Sequence, residues 1–259
     1  MKKTIFYFGL FLALGLTGVV FNSCDKDDDT DGGTNDGQVF KITATNVIND
    51  SAEIKTVKAI VYWESGDYDY GSDAIAQAPY QNNGFTLELP EILDAKYLET
   101  LDAEDLEEIF VSDNNFKFCT LDDLNGYNSE DEKIGEFYLV GVKEDGVYFT
   151  FWLYVDRDVT INGEYSEIDE EDNEEYIEIY DLTLKKGWNV VYASEMESPD
   201  RHVYTATISS KKPSDVNYAW YFSSYDDLTY HKSSASQALK LAKNPKSLAT
   251  ILKENLKKH

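Results

Sequence analysis

From Val39 onward the apolar positions repeat at the spacing of strands rather than of helices. Thr56–Glu64, TVKAIVYWE, is β-branched and aromatic on both faces, the pattern of a central strand. Phe85, Leu87 and Leu89 alternate with Thr86 and Glu88, which predicts a half-buried strand entered from Asn82-Asn83-Gly84 and stopped by Pro90. Residues 135–143 and Gly146–Val155 are expected to pair as a hairpin across Glu144-Asp145-Gly146. Further strands are predicted at 159–165, 176–184, 188–193, Val203–Ser209 and 218–222, with Lys185-Lys186-Gly187 as a tight turn. Phe116-Lys117-Phe118-Cys119 reads as one more, with Cys119 a buried thiol. The one interruption is 91–110, where Asp102 caps a predicted short helix with Leu106, Ile109 and Phe110 inward.

Beyond residue 230 the pattern changes. Residues 234–243 suit a short helix, and Asn244-Pro245 starts a second, with Asn244 as cap and proline in the first turn. Leu248, Ile251, Leu252 and Leu256 fall on one side of it while its lysines point elsewhere. A basic amphipathic helix of this kind either packs on an acidic domain or docks on anionic lipid. Strands about ten residues apart, with turn signals between them, argue for a sandwich. The predicted class is therefore all-β: an antiparallel β-sandwich over residues 39–230, then a basic extension, 231–259, of two short α-helices. Two smaller consecutive sandwiches split near residue 130 fit the same pattern.

The first 38 residues follow a different logic. Lys2 and Lys3 precede an apolar run from Ile5 to Phe21 that ends at Asn22-Ser23-Cys24, the order of parts in a secretory signal peptide. Cys24 at the cut implies a mature chain that starts there, with acyl chains on its thiol and amino group. The alternative is an uncleaved anchor, since the run reaches the lower limit of about 17 residues for a spanning helix. Burying a methylene is worth ~0.8 kcal/mol, so several acyl chains hold a protein far more firmly than one.

Cys24 followed by Asp25-Lys26-Asp27-Asp28-Asp29 resembles the lipoprotein signals of Bacteroidetes. That resemblance implies export to the outer face of the outer membrane and carries no activity. Residues 1–23 are then the signal peptide and 24–38 an acidic flexible tether. Asp27-x-Asp29-x-Asp31-Gly32 imitates the start of a calcium loop, but Gln38 stands at the twelfth place, where glutamate is needed. Asn83-Gly84-Phe85-Thr86-Leu87-Glu88-Leu89-Pro90 and Leu184-Lys185-Lys186-Gly187-Trp188-Asn189 resemble phrases of Bacteroidetes lipoproteins with immunoglobulin-like or transthyretin-like sandwiches.

Composition narrows the function classes. Hydrophobic residues make up 42% and aromatic residues 14%, enough for a packed core rather than disorder. The net charge is −26, and residues 232–259 hold seven lysines and one glutamate, so the rest of the chain carries −32. Such a body repels phosphate backbones, which excludes nucleic acid as a partner. With Cys24 acylated, Cys119 has no partner within the chain, and the domain folds without a disulfide.

Catalytic motifs are missing: no Gly-x-Ser-x-Gly, no His-Glu-x-x-His, no phosphate-binding glycine loop, no cysteine pair at metal spacing. The three histidines, His202, His231 and His259, are not spaced for metal, and no cofactor is implied. A Cys119–His202 nucleophile pair lacks a third, orienting group. Residues 169–175, DEEDNEE, form an acidic loop that is either solvated or takes calcium. With 49 acids in the chain, a close carboxylate pair for glycoside hydrolysis carries little weight.

The best binding candidate is Gly146–Val155. One face holds Val147, Phe149, Phe151, Leu153 and Val155, the other Tyr148, Thr150, Trp152 and Tyr154. Side chains two apart share a face at roughly 7 Å, so Tyr148, Trp152 and Tyr154 can stack on successive sugar rings. A central strand that buries both faces gives the same pattern, and Trp63, Trp188 and Trp220 fit core positions. The reading is a non-catalytic outer-membrane lipoprotein, held by N-terminal acyl chains, with glycan as the leading ligand. An envelope protein bound at an open sheet edge or by the basic extension is the alternative, and a hydrolase the third choice.

Overall fold

The computed structural model describes residues 39–64, 70–101, 109–143, 146–169, 174–198 and 203–224. The chain divides between Gln38 and Val39 into two units, and all described residues belong to the second. Among them are β1 (Lys41–Ala44), β2 (Thr56–Glu64), β3 (Tyr70–Pro79), β4 (Phe85–Glu88), β5 (Glu99–Thr100), β6 (Ile109–Val111), β7 (Lys117–Thr120) and β8 (Asp123–Tyr127). They continue with β9 (Lys133–Lys143), β10 (Gly146–Val155), β11 (Val159–Asp169), β12 (Glu174–Leu184), β13 (Gly187–Ser198), β14 (Val203–Ser209) and β15 (Tyr218–Ser224). One turn of 3-10 helix, Ala95–Tyr97, precedes β5. The protein is all-β, and its strand pairings are antiparallel except for β12 with β14.

The main sheet runs β3-β2-β8-β9-β10-β13-β14-β12-β11-β6, while β1 and β4 form a separate ribbon. Its middle is forked. β9 and β10 pair from Gly146↔Lys143 to Thr150↔Leu139. Beyond that point β9 takes β8 as its neighbour, Asn125↔Glu136, while β10 takes β7, Leu153↔Thr120. β15 lies along the other side of β9. The hairpin thus opens into two layers, which fits a β-sandwich.

Alternation along β10 supplies both cores. Trp152 and Tyr154 join a cluster with Val57, Val61, Leu124, Phe137 and Phe222 of the first layer and Leu87 of the ribbon. Leu153 and Val155 point the opposite way, to Val191, Ile208, Leu182, Ile161, Phe116 and Phe118. The cores therefore share a strand and draw on interleaved stretches of chain. Two consecutive sandwiches split near residue 130 are not what forms.

The predicted strands Thr56–Glu64, Gly146–Val155 and Val203–Ser209 hold to the residue. Lys185-Lys186-Gly187 is the expected turn: Gly187 has φ +98°, and Asn189 Nδ2 donates to the Lys185 carbonyl at 2.7 Å. One prediction fails. Ile109 and Phe110 belong to β6, paired with Ile161–Gly163 of β11, and Phe110 is exposed rather than inward on a helix. Residues 102–108 lie outside the described residues, as do the expected signal peptide, tether and C-terminal helices. The acidic loop is narrower than expected, since β11 and β12 pair as far as Asp169↔Glu174.

Candidate functional site

The aromatic row of β10 is closed off, which corrects its reading as a solvent-facing platform. Tyr148 is 7% exposed, Trp152 7% and Tyr154 4%. Trp152 stacks on Trp220 at 5.9 Å with 9° between the rings, and Tyr154 meets the edge of Trp188 at 5.5 Å. Trp188 in turn donates Nε1–H to the Pro90 carbonyl at 2.9 Å. The fork is the cause, because it folds β15 and the β1–β4 ribbon over this face of β10. These rings have no room for a sugar.

Exposed aromatic surface lies instead where β2 turns into β3. Their register, Glu64↔Tyr70, Trp63↔Gly71 and Tyr62↔Ser72, sets Tyr62 and Tyr70 on one face and Trp63, Gly71 and Asp73 on the other. Tyr62 is 51% and Tyr70 82% exposed. Beneath them the indole of Trp63 lies over Gly71, where a Cβ would come within 2.6 Å of the ring. Glycine is the only residue that lets the ring settle there.

Asp73 gathers this inner side. Its Oδ2 accepts from Trp63 Nε1 at 2.9 Å, Lys96 Nζ at 2.7 Å and Tyr97 Oη at 3.0 Å. Lys96 also sits 4.7 Å from the Tyr97 ring centre and 5.4 Å from that of Trp63. The Lys96 ammonium, with Tyr97 and Trp63, holds the Asp73 carboxyl below its ordinary range. Asp94 positions the lysine by capping the 3-10 turn, accepting from the Lys96 amide at 3.0 Å.

On the outer face Tyr62 is held at both ends. Its amide donates to Asp122 Oδ2 and its hydroxyl to Asp123 Oδ2, each at 2.9 Å. Burial, and then the Asp123 charge, push the Tyr62 phenol up to about 12. Burial also pushes Asp122 up to about 7; the Tyr62 amide acts against this, while Asp123 and Glu99 add to it. Lys133 bridges to Glu136 at 2.8 Å and lies 3.7 Å from Asp123. Asp122 therefore ends the β2–β8 ladder with a side chain in place of a carbonyl, and does so while half-buried among acids.

β3 itself is the last strand of its sheet and pairs only with β2 among the described strands. Its sequence, YGSDAIAQAP, carries a single charge, the already bonded Asp73. The register slips between Ala59 and Ile60, a bulge that separates the Tyr70–Ala74 stretch from the part leading to Pro79. An edge with no second strand beside it among the described residues offers a row of main-chain donors and acceptors to an extended chain. Sequence reasoning missed this strand, and the one signal for it was the aromatic and acidic run Trp63-Glu64-Ser65-Gly66-Asp67-Tyr68-Asp69-Tyr70.

Among the described residues, the remaining sequence candidates do not assemble a reaction centre. Cys119 is buried, its Sγ donates to the Thr120 carbonyl at 3.5 Å, and burial pushes the thiol well up, away from a nucleophilic thiolate. His202, Cys24 and residues 170–173 lie outside the described residues. No group of three or more metal-ligating side chains forms among the described residues. No protein-family model, curated protein or solved structure matches the chain.

Proposed function

We propose that this chain is a non-catalytic, lipid-anchored protein of the outer membrane that binds a partner protein through the free edge of β3 and the neighbouring Tyr62 and Tyr70. Cys24 carries the acyl chains and the acidic stretch after it is the tether, in the manner of the Bacteroidetes signals it resembles. The finer features belong to the same proposal: an immunoglobulin-like or transthyretin-like sandwich and two short C-terminal helices.

The observation that carries the binding site is the ten-residue edge strand, almost free of charge, beside two exposed tyrosines that share one face. Lysine, a common blunting device of sheet edges, is missing from β3, whose bulge and terminal Pro79 leave Tyr70–Ala74 as the stretch fit for pairing. Asp122, the acid with the raised pKa, is spent on the Tyr62 amide, so it supports the shape of this end rather than a hydrolysis. Glycan binding at the same end is the second reading. It rests on Tyr62 and Tyr70 sharing one open face, diagonally across a strand pair, within reach of one another's rings.

Site-specific photocrosslinking in intact cells tests the site. A benzoyl-phenylalanine placed at Ser72 is expected to yield a discrete protein adduct, while the same group at Lys186, on a turn remote in sequence, yields none. Equal labelling from both positions, or none from Ser72, contradicts the proposal.

A further inference from the structure

We infer that the partner segment seated on β3 is an extended, lysine-bearing peptide that adds to the sheet as one more strand. This rests on the binding role proposed above and names the chemistry of what binds.

The stretch of sequence that holds this edge is one-sided in charge. Between Lys58 and Lys96 the chain has seven acids (Glu64, Asp67, Asp69, Asp73, Glu88, Glu91 and Asp94) and no lysine, arginine or histidine. Both flanking lysines are engaged: Lys58 bridges to Asp131 at 2.6 Å and Lys96 to Asp73 at 2.7 Å. The strand itself brings no basic side chain to this edge, on a chain of net charge −26. A second copy of the chain would bring the same charge to the same edge, which disfavours self-pairing and favours a basic partner.

The strand is also shaped for backbone recognition. Ser72 and Ala74 are small and exposed, Ala76 is small and half-buried, so an incoming chain can approach to ladder distance, about 4.8 Å, without displacing bulk. Trp63 over Gly71 and the Asp73–Lys96–Tyr97 bonds hold the edge in place from behind, so little ordering is left for binding to impose. Main-chain bonds would supply affinity, while acidic neighbours select lysine on alternate positions of the peptide.

The test uses the full mature chain and two fluorescein-labelled decapeptides. Both share one alternating threonine–valine scaffold, with three lysines in one and three glutamates in the other. Fluorescence anisotropy is expected to show binding of the lysine peptide, weakening as salt is added, and none of the glutamate peptide. Ala74→Lys should weaken binding about tenfold or more, whereas Thr86→Lys, the same charge on the exposed face of β4, should leave it unchanged. Thermal melts confirm that both variants are folded, and amide exchange should slow across Tyr70–Ala74 when peptide is bound. The inference is overturned by equal binding of both peptides, by equal effects of the two lysine variants, or by no peptide binding. It is overturned too if wild type dimerises through this edge and Ala74→Lys makes it monomeric. A Ser72 adduct in cells with no peptide binding would reject this ligand chemistry and leave the binding role standing.

Discussion

Trp152 shows what single residues contribute to this account. It is stacked on Trp220 within a core that also holds Phe137 and Phe222. Trp152→Ala should therefore cost about 3–5 kcal/mol of stability, read by urea denaturation. Unchanged stability with loss of a ligand would restore the row as a binding platform. Asp122 makes a second case, through pH. Its folded pKa, about 7, lies above the ordinary carboxylate value, so the folded chain binds more protons than the unfolded one between about pH 4 and 7. Stability from this group is present below that window and declines as pH rises through it. Asp73, Asp113, Asp156 and Asp158 shift downward, mainly through Lys96, Asn115, Arg157 and Lys185, so their contribution disappears only under more acid conditions. The melting temperature should therefore be highest near pH 5, at about the crossing of these two trends. Asp122→Asn, which keeps an acceptor for Tyr62, should flatten the decline between about pH 4 and 7. An equally steep decline in the variant would remove the assignment.

At the scale of elements, legibility followed side-chain pattern. β2, β9, β10 and β14 were readable because β-branched and aromatic residues recur at strand spacing. β3 was not, because Gly71, Ala74, Ala76 and Ala78 have little strand preference of their own and are held by their ladder with β2. β6 was misread because Leu106, Ile109 and Phe110 fall at helical spacing, and in so short a run period alone does not separate helix from strand. The row on β10 was legible as a strand face, but not as a buried one. What covers it arrives from β15 and the ribbon, far away along the chain. The hairpin end yields its own prediction. Gly71→Ala pushes its methyl into the Trp63 ring, so it should displace the indole from Asp73, shift tryptophan emission to the red and cost about 1–3 kcal/mol. Unaltered emission and stability would show that the ring does not lean on this backbone.

At the scale of the whole molecule, one sheet forks into two layers, a shared strand feeds two cores, and the outermost strand, next to exposed tyrosines, has β2 as its one partner among the described strands. The sequence made the strand content and the acidic body readable, since each is a local property of composition or pattern. The working surface depends on which strand ends the sheet, and order within a sheet is set by long-range pairing that no local pattern encodes. The proposed role also depends on where the chain is held, because an edge that recruits neighbours matters only if lipid keeps it among them. The most direct measurement is intact mass spectrometry of the protein extracted from native membranes. The account predicts a chain that starts at Cys24 and carries acyl chains there. A chain that retains Met1, or whose Cys24 is unmodified, would contradict it.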